Sequence, residues 1–178
     1  MPVEEKHGRG VEQALWMLDT FASLGVQAFD VTETDIDGHK QDFRACQRVE
    51  QLRRWMPYLM QSAIERQHNV IVRPKRASAR FVQLDDLSRV GVERLSTPAF
   101  LILRTSPENH QAWIAVQECD ADLARRMRRG SGSDPTASGA TRVAGSLNFK
   151  RRYAPNFPMV TVLEAAPKRT VTRPNWRH

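Results

Sequence analysis

The sequence is poor in cysteine, in long apolar runs and, over its last third, in acid. Its two cysteines, Cys46 and Cys119, stand far apart in 178 residues with no metal-ligand spacing around either. That excludes a disulfide framework and a zinc knuckle, and a reduced, cytoplasmic setting is expected. No apolar run approaches the roughly 20 residues of a membrane span, and Met1–Gly10 lacks a signal peptide's apolar stretch, so neither secretion nor membrane insertion is expected. The Gly-Lys-Ser/Thr ending of a P-loop, a serine nucleophile elbow and a dinucleotide-binding glycine pattern are all missing. Nor do the expected strands carry the clustered aromatics of an RNA-recognition face.

What is present is a globular composition of one-domain size, with 40% hydrophobic and 26% charged residues. The net charge of +7 is unevenly placed. Residues 1–120 hold 15 Lys and Arg against 17 Asp and Glu, whereas residues 121–178 hold 12 against 3. The surplus gathers in Arg125, Arg126, Arg128 and Arg129, in Lys150-Arg151-Arg152, and in a tail with Lys168, Arg169, Arg173 and Arg177. One such cluster is an ordinary solvated face; three beside a slightly acidic body point to a phosphate-rich ligand.

Val11, Ala14, Leu15, Leu18 and Ala22 recur at helical spacing, with Gly25 placed to end the helix. Val26–Thr32 reads as a strand, Asp35–His39 as a turn, and residues near Gln41–Arg44 as the returning arm. Val49, Leu52, Met56, Leu59 and Ala63 define a second amphipathic helix that Pro57 should kink or shorten. Strands are expected at Asn69–Pro74, Phe81–Asp86, Phe100–Thr105, Gln111–Val116 and Phe157–Glu164. A short helix should run to about Leu95, and another, capped by Asp120 or Asp122, should carry Leu123 and Met127 with its arginines facing outward. Gly130–Pro135 is a break and Arg142–Lys150 is turn-rich. With no repeat and no linker, the expectation is one α+β domain over 1–165 and a basic tail over 166–178.

Three segments could carry chemistry. Asp85-Asp86 ends a hydrophobic strand, and carboxylates are the hard ligands that Mg²⁺ or Mn²⁺ takes. Side chains alternate along a regular strand, so both can serve one site only if the chain bends there; otherwise Asp86 caps the next helix and Asp85 is merely exposed. His110 stands where a tight turn enters a strand, either as a ligand for a phosphate or as a surface histidine, and Trp113, three residues on in the same strand, is core or stacking platform. Residues 130–150 combine small residues with Arg142 and Lys150, a modest phosphate-binding candidate. Asp35 and Asp37 have same-face spacing, but Gly38-His39 makes an exposed hairpin turn the simpler account.

In their order along the chain, Asn69-Val-Ile-Val-Arg-Pro, Phe81-Val-Gln-Leu-Asp-Asp-Leu, Thr105-Ser-Pro-Glu-Asn-His-Gln-Ala-Trp and Gly132–Asn148 resemble the RepB-type primases of mobilisable plasmids and integrative elements, in the archaeo-eukaryotic primase superfamily. The resemblance covers about residues 69–165. It implies a primase/polymerase catalytic core: an RRM-like, mostly antiparallel sheet flanked by helices. It further implies Mg²⁺ or Mn²⁺ on Asp85, Asp86 and Asp134, catalysis by Asp85, Asp86 and His110, and nucleotide contacts from His110, Arg142, Asn148 and Lys150. DNA contacts are expected from Arg73, Arg125, Arg126, Arg128, Arg129, Arg151 and Arg152. The implied partners are a single-stranded DNA template, nucleoside triphosphates and a replicative helicase. The superfamily spaces its two acids by one hydrophobic residue, whereas here they are adjacent. That departure keeps an alternative open: a non-catalytic single-strand-binding accessory protein on a degenerate primase fold.

Overall fold

A computed structural model describes residues 3–77, 79–117 and 121–172; Cys119, Asp120, Arg173 and Arg177 lie outside the described residues. Helix α1 (Val3–Ala22) forms because Ala14, Met17, Leu18 and Phe21 fall on one face, all with no exposed surface. A hairpin follows, β1 (Ala28–Thr34) and β2 (Lys40–Arg48), whose turn is built on Asp35. The Asp35 carboxylate accepts from the backbone N–H groups of Asp37 and His39 at 3.0 and 2.9 Å. The Asp35–Asp37 pair therefore belongs to a turn, as the simpler account expects.

Helix α2 (Val49–Arg66) runs without interruption through Pro57. Proline costs the helix one backbone hydrogen bond, and burial of Met56, Leu59 and Met60 on either side offsets it. There follow β3 (Asn69–Lys75), β4 (Arg80–Leu87), α3 (Arg89–Glu93), β5 (Leu101–Arg104), β6 (His110–Val116) and α4 (Ala121–Ser131). The chain then forms β7 (Thr141–Arg142), a 3₁₀ turn at Arg151–Tyr153, and β8 (Thr161–Ala165). Asp122 sits in the first turn of α4 rather than before it, and the final strand is shorter than its sequence suggests.

The α+β expectation holds, with the strands divided between two antiparallel sheets ordered β2-β1-β3-β7 and β4-β6-β5-β8. The main core joins α1 and α2 to the inner face of the first sheet (Phe29, Val31, Val70, Val72) and to one face of the second (Leu101, Leu103, Trp113, Ala115). Trp113, 1% exposed, is core and not a stacking platform. A smaller cluster on the other face of the second sheet packs Leu84, Leu87, Ile102 and Ile114 against Val92 of α3 and Leu123 and Met127 of α4. Residues 166–172 follow the second sheet: Val171 N–H donates to Ala115 O, and Arg169 donates to the carbonyls of Ser96 and Ala99.

Phe21 knits the two sheets together. Its ring lies edge-on to Phe29 of the first sheet, and to Phe81, Phe100 and Trp113 at the second, with centroids 5.1–5.7 Å away. Phe21→Ala is expected to cost about 3–5 kcal/mol, as for a fully buried aromatic. Trp16→Ala, on the exposed side of α1, should cost below about 1 kcal/mol. Urea denaturation of the two variants checks the contrast.

Candidate active site

The cleft forms where edge strand β4 of the second sheet meets edge strand β7 of the first. Two buried amides hold this junction: Gln83 ties β4 to the residues entering β7, and Asn69 fixes the segment that follows. Gln83, 1% exposed, donates from Nε2 to Ala140 O at 2.7 Å, and its Oε1 accepts from Gly139 N–H at 2.6 Å. Asn69, at the start of β3, accepts through Oδ1 from Phe149 N–H and from Arg142 Nε, both at 2.9 Å. Its Nδ2 donates to Phe149 O at 3.0 Å. Neither amide stands out in the sequence; the available signal is a polar residue set in an otherwise apolar strand. Helix α1 supports the same segment from behind. Gly145 has φ +81°, and a Cβ there would fall 1.9 Å from the Gly10 carbonyl oxygen, so only glycine permits this approach.

The decisive local feature is in β4. Leu84 pairs with Ala112 and Leu87 pairs with His110, so Asp85 and Asp86 together oppose Gln111 alone. This is a β-bulge. Leu84 and Leu87 both keep their place in the smaller core, and Asp86 absorbs the extra residue with φ 60°, a conformation aspartate tolerates better than most residues. The strand thus bends at the point where two adjacent acids need it to bend. Both line one cleft of about 560 Å³.

Asp134 joins them there, because its backbone N–H donates to Asp85 O at 3.0 Å. Its carboxyl titrates below the usual aspartate range because it accepts from the Thr136 hydroxyl and then the Thr136 N–H, with Arg128 adding a smaller effect. Facing the acids are Arg142, Lys150 and Arg152. Burial holds the Arg142 guanidinium below its ordinary value, and Asp85 opposes that shift. The Lys150 ammonium is likewise lowered, first by burial and then by the charges of Arg142 and Arg152. Asn148 also borders the cleft, with Nδ2 donating to Thr105 O at 2.8 Å. Thr105, Ser106, Asn109 and Gln111 complete the wall from the β5–β6 hairpin.

His110 does not belong to this site. Its pairing with Leu87 and the alternation of β6 turn it to the opposite face, where Nδ1 lies 3.4 Å from Leu87 O. Gln111 takes the cleft-facing position instead. His110 lines a separate depression with Arg89, Arg104 and Glu108. The expected DNA-contacting arginines also divide. Arg125 and Arg126 pair with Asp122 on α4, Arg128 donates from Nε to Gln83 O at 3.2 Å, and Arg129 is exposed. Arg151 makes a two-pronged ion pair with Asp37 of the β1–β2 turn at 2.8 and 2.6 Å, which fixes the 3₁₀ turn that carries Arg152. Arg73 is exposed on the outer side of β3.

Among the described residues, no group of three or more His, Cys, Asp or Glu is gathered as a ready metal cage. The donors still suit a hard cation, because Mg²⁺ is commonly held by one or two carboxylates with substrate phosphates and water supplying the rest. Asp85 and Asp86 are two such carboxylates, and Asp134 is a third within the same cleft.

Carboxylates thus face cations across one cleft on a two-sheet α+β fold. The model of the RepB DNA-primase N-terminal domain matches residues 31–170, and the chain belongs to that family. Among solved structures, it resembles primase RepB′ (TM-score 0.75, 22% identity), covering 91% of this chain but 58% of that one. The catalytic domain of primase RepB′ in complex with initiator DNA matches with TM-score 0.70 and 21% identity, over 89% and 88% of the two chains. The AEP domain of the cyanophage S-2L primase-polymerase matches with TM-score 0.56 and 15% identity, over 88% and 91%. No curated protein sequence matches. No helix among the described residues is long and apolar enough to cross a membrane.

Asn69→Ala removes the acceptor of Phe149 N–H and of Arg142 Nε at once. Each polar group left buried without a partner costs about 1–3 kcal/mol. The variant should unfold at distinctly lower urea concentration, whereas Asn109→Ala at the cleft rim should shift the midpoint little.

Proposed function

We propose that the cleft is the active site of a metal-dependent nucleotidyltransferase that makes or extends short primers on single-stranded DNA. The observation that carries this reading is the bulge, which sets Asp85 and Asp86 in one cleft with Asp134 and opposite Arg142, Lys150 and Arg152. Asp85, with Asp86 and Asp134, would hold Mg²⁺ or Mn²⁺, which when bound neutralises charge developing on the reacting phosphate. The chain's own cations do the rest of the electrostatic work. Arg142, oriented by Asn69, presents a fixed fork to the triphosphate. Lys150 adds a mobile point charge, and Arg152 guards the rim.

In the reaction, a primer 3′-oxygen bonds to the α-phosphorus of the incoming nucleotide, and the bond to the β-phosphate oxygen breaks to release pyrophosphate. The hydroxyl proton leaves to water or to a cleft carboxylate. In this reading His110, which lies on the other face of β6, takes no part in these steps, and Gln111 and Asn148 are the polar groups that border the nucleotide in its place. Family membership supports a replication role, and the RepB′ structure with initiator DNA supports a DNA ligand.

Asp85→Ala should abolish primer synthesis on a single-stranded template in Mg²⁺ or Mn²⁺, while its melting temperature and template affinity stay near wild type; normal synthesis contradicts the assignment. Triphosphate binding should weaken as pH rises through the lowered Lys150 pKa, because only the ammonium form attracts phosphate. Lys150→Arg should flatten that profile in a nucleotide titration.

A further inference from the structure

The first sheet has a face that nothing covers among the described residues. Its inner positions meet α1 and α2. On the outer side, Asp30 faces Arg73 across β1 and β3, Thr32 faces Ile71, and Phe43 of β2 faces Thr32. A groove of about 320 Å³ runs over this face past Lys40, Phe43 and Arg73. It shares Ile71 and Ala140 with the catalytic cleft, so the two form one continuous surface.

The chemistry of the groove is specific. Phe43 keeps 50% of its surface exposed, and Lys40 Nζ lies 5.2 Å from its ring centroid. A lone exposed aromatic is ordinary; an exposed ring on a sheet, beside two cations and opening into a phosphate-binding cleft, is a different arrangement. The acid on this face, Asp30, is engaged by Lys75 at 2.9 Å, which leaves Lys40 and Arg73 to set the sign of the groove. Aromatic rings that accept unpaired bases and cations that follow the backbone are the two components of single-strand recognition.

We infer that the outer face of the first sheet is a track for single-stranded DNA running to the cleft, with Phe43 stacked on a base and Lys40 and Arg73 against backbone phosphates. The inference rests on the cleft's proposed role only in naming the strand as template.

Fluorescence anisotropy with a labelled oligothymidylate and the full chain tests it. Phe43→Ala should weaken binding by about 5- to 100-fold, and Phe43→Trp should restore it. Arg73→Ala should reduce the salt slope of log K by about 0.7. All three side chains are exposed, so melting temperatures should not move. Wild-type affinity in Phe43→Ala, absence of binding by the wild-type chain, or equal loss with duplex DNA would each overturn the track. A separate titration with Mn²⁺ and nucleoside triphosphate, without DNA, reports on the cleft. Failure there with a Phe43-dependent DNA affinity removes the catalytic reading and keeps the track; binding there with no Phe43 effect removes the track alone.

Discussion

One extra residue in β4 governs the site. Had the strand stayed regular, Asp85 and Asp86 would face opposite sides of the sheet, and one would lie against the apolar cluster of Leu84 and Leu87. Burying an unpaired carboxylate there would cost far more than a bulge does. The apolar packing of those two leucines, three positions apart, forces the extra residue outward, and Asp86 takes it up in a left-handed conformation. The acidic character of the cleft is thus a consequence of how a hydrophobic cluster packs on the other side of the sheet.

The cationic wall has a different support. Arg142 and Lys150 lie on a segment with little regular structure, and loops of that kind do not hold charges in place by themselves. Here Asn69 clamps both ends of the segment, Gln83 fixes the residues leading into it, and Gly145 allows α1 to press against it. The Arg151–Asp37 pair adds a tie to the β1–β2 turn. That pair is exposed and contributes little to stability, but it sets where Arg152 stands. Polar contacts across sequence separations as large as 114 residues give the site its rigidity, and hydrophobic burial gives the fold its stability.

Much of this was legible in the sequence. The spacing of Ala14, Leu18, Leu52, Met56 and Leu59 marks two helices, and the apolar runs at Val70–Val72 and Leu101–Leu103 mark buried strands. Asp85, Asp134, Arg142 and Lys150 were recognisable as chemistry, and they converge. What failed was parity and pairing. His110 looked well placed because it enters a strand from a tight turn, yet its cross-strand partner Leu87 assigns it to the other face. The arginine clusters look alike as runs of charge, whereas Asp122, Asp37 and the Gln83 carbonyl sort them into engaged and exposed groups. The bulge itself had a faint signature: two core leucines three apart in a strand, where alternation calls for two.

The most direct test is a chain lacking Asp86, which restores regular pairing from Leu84 to Leu87 while leaving both leucines in the core. Mn²⁺ binding in the presence of a nucleoside triphosphate, followed by electron paramagnetic resonance, should be strong for the wild-type chain and greatly weakened for the deletion, with both proteins folded. Equal Mn²⁺ binding by the two would contradict the central role given to the bulge.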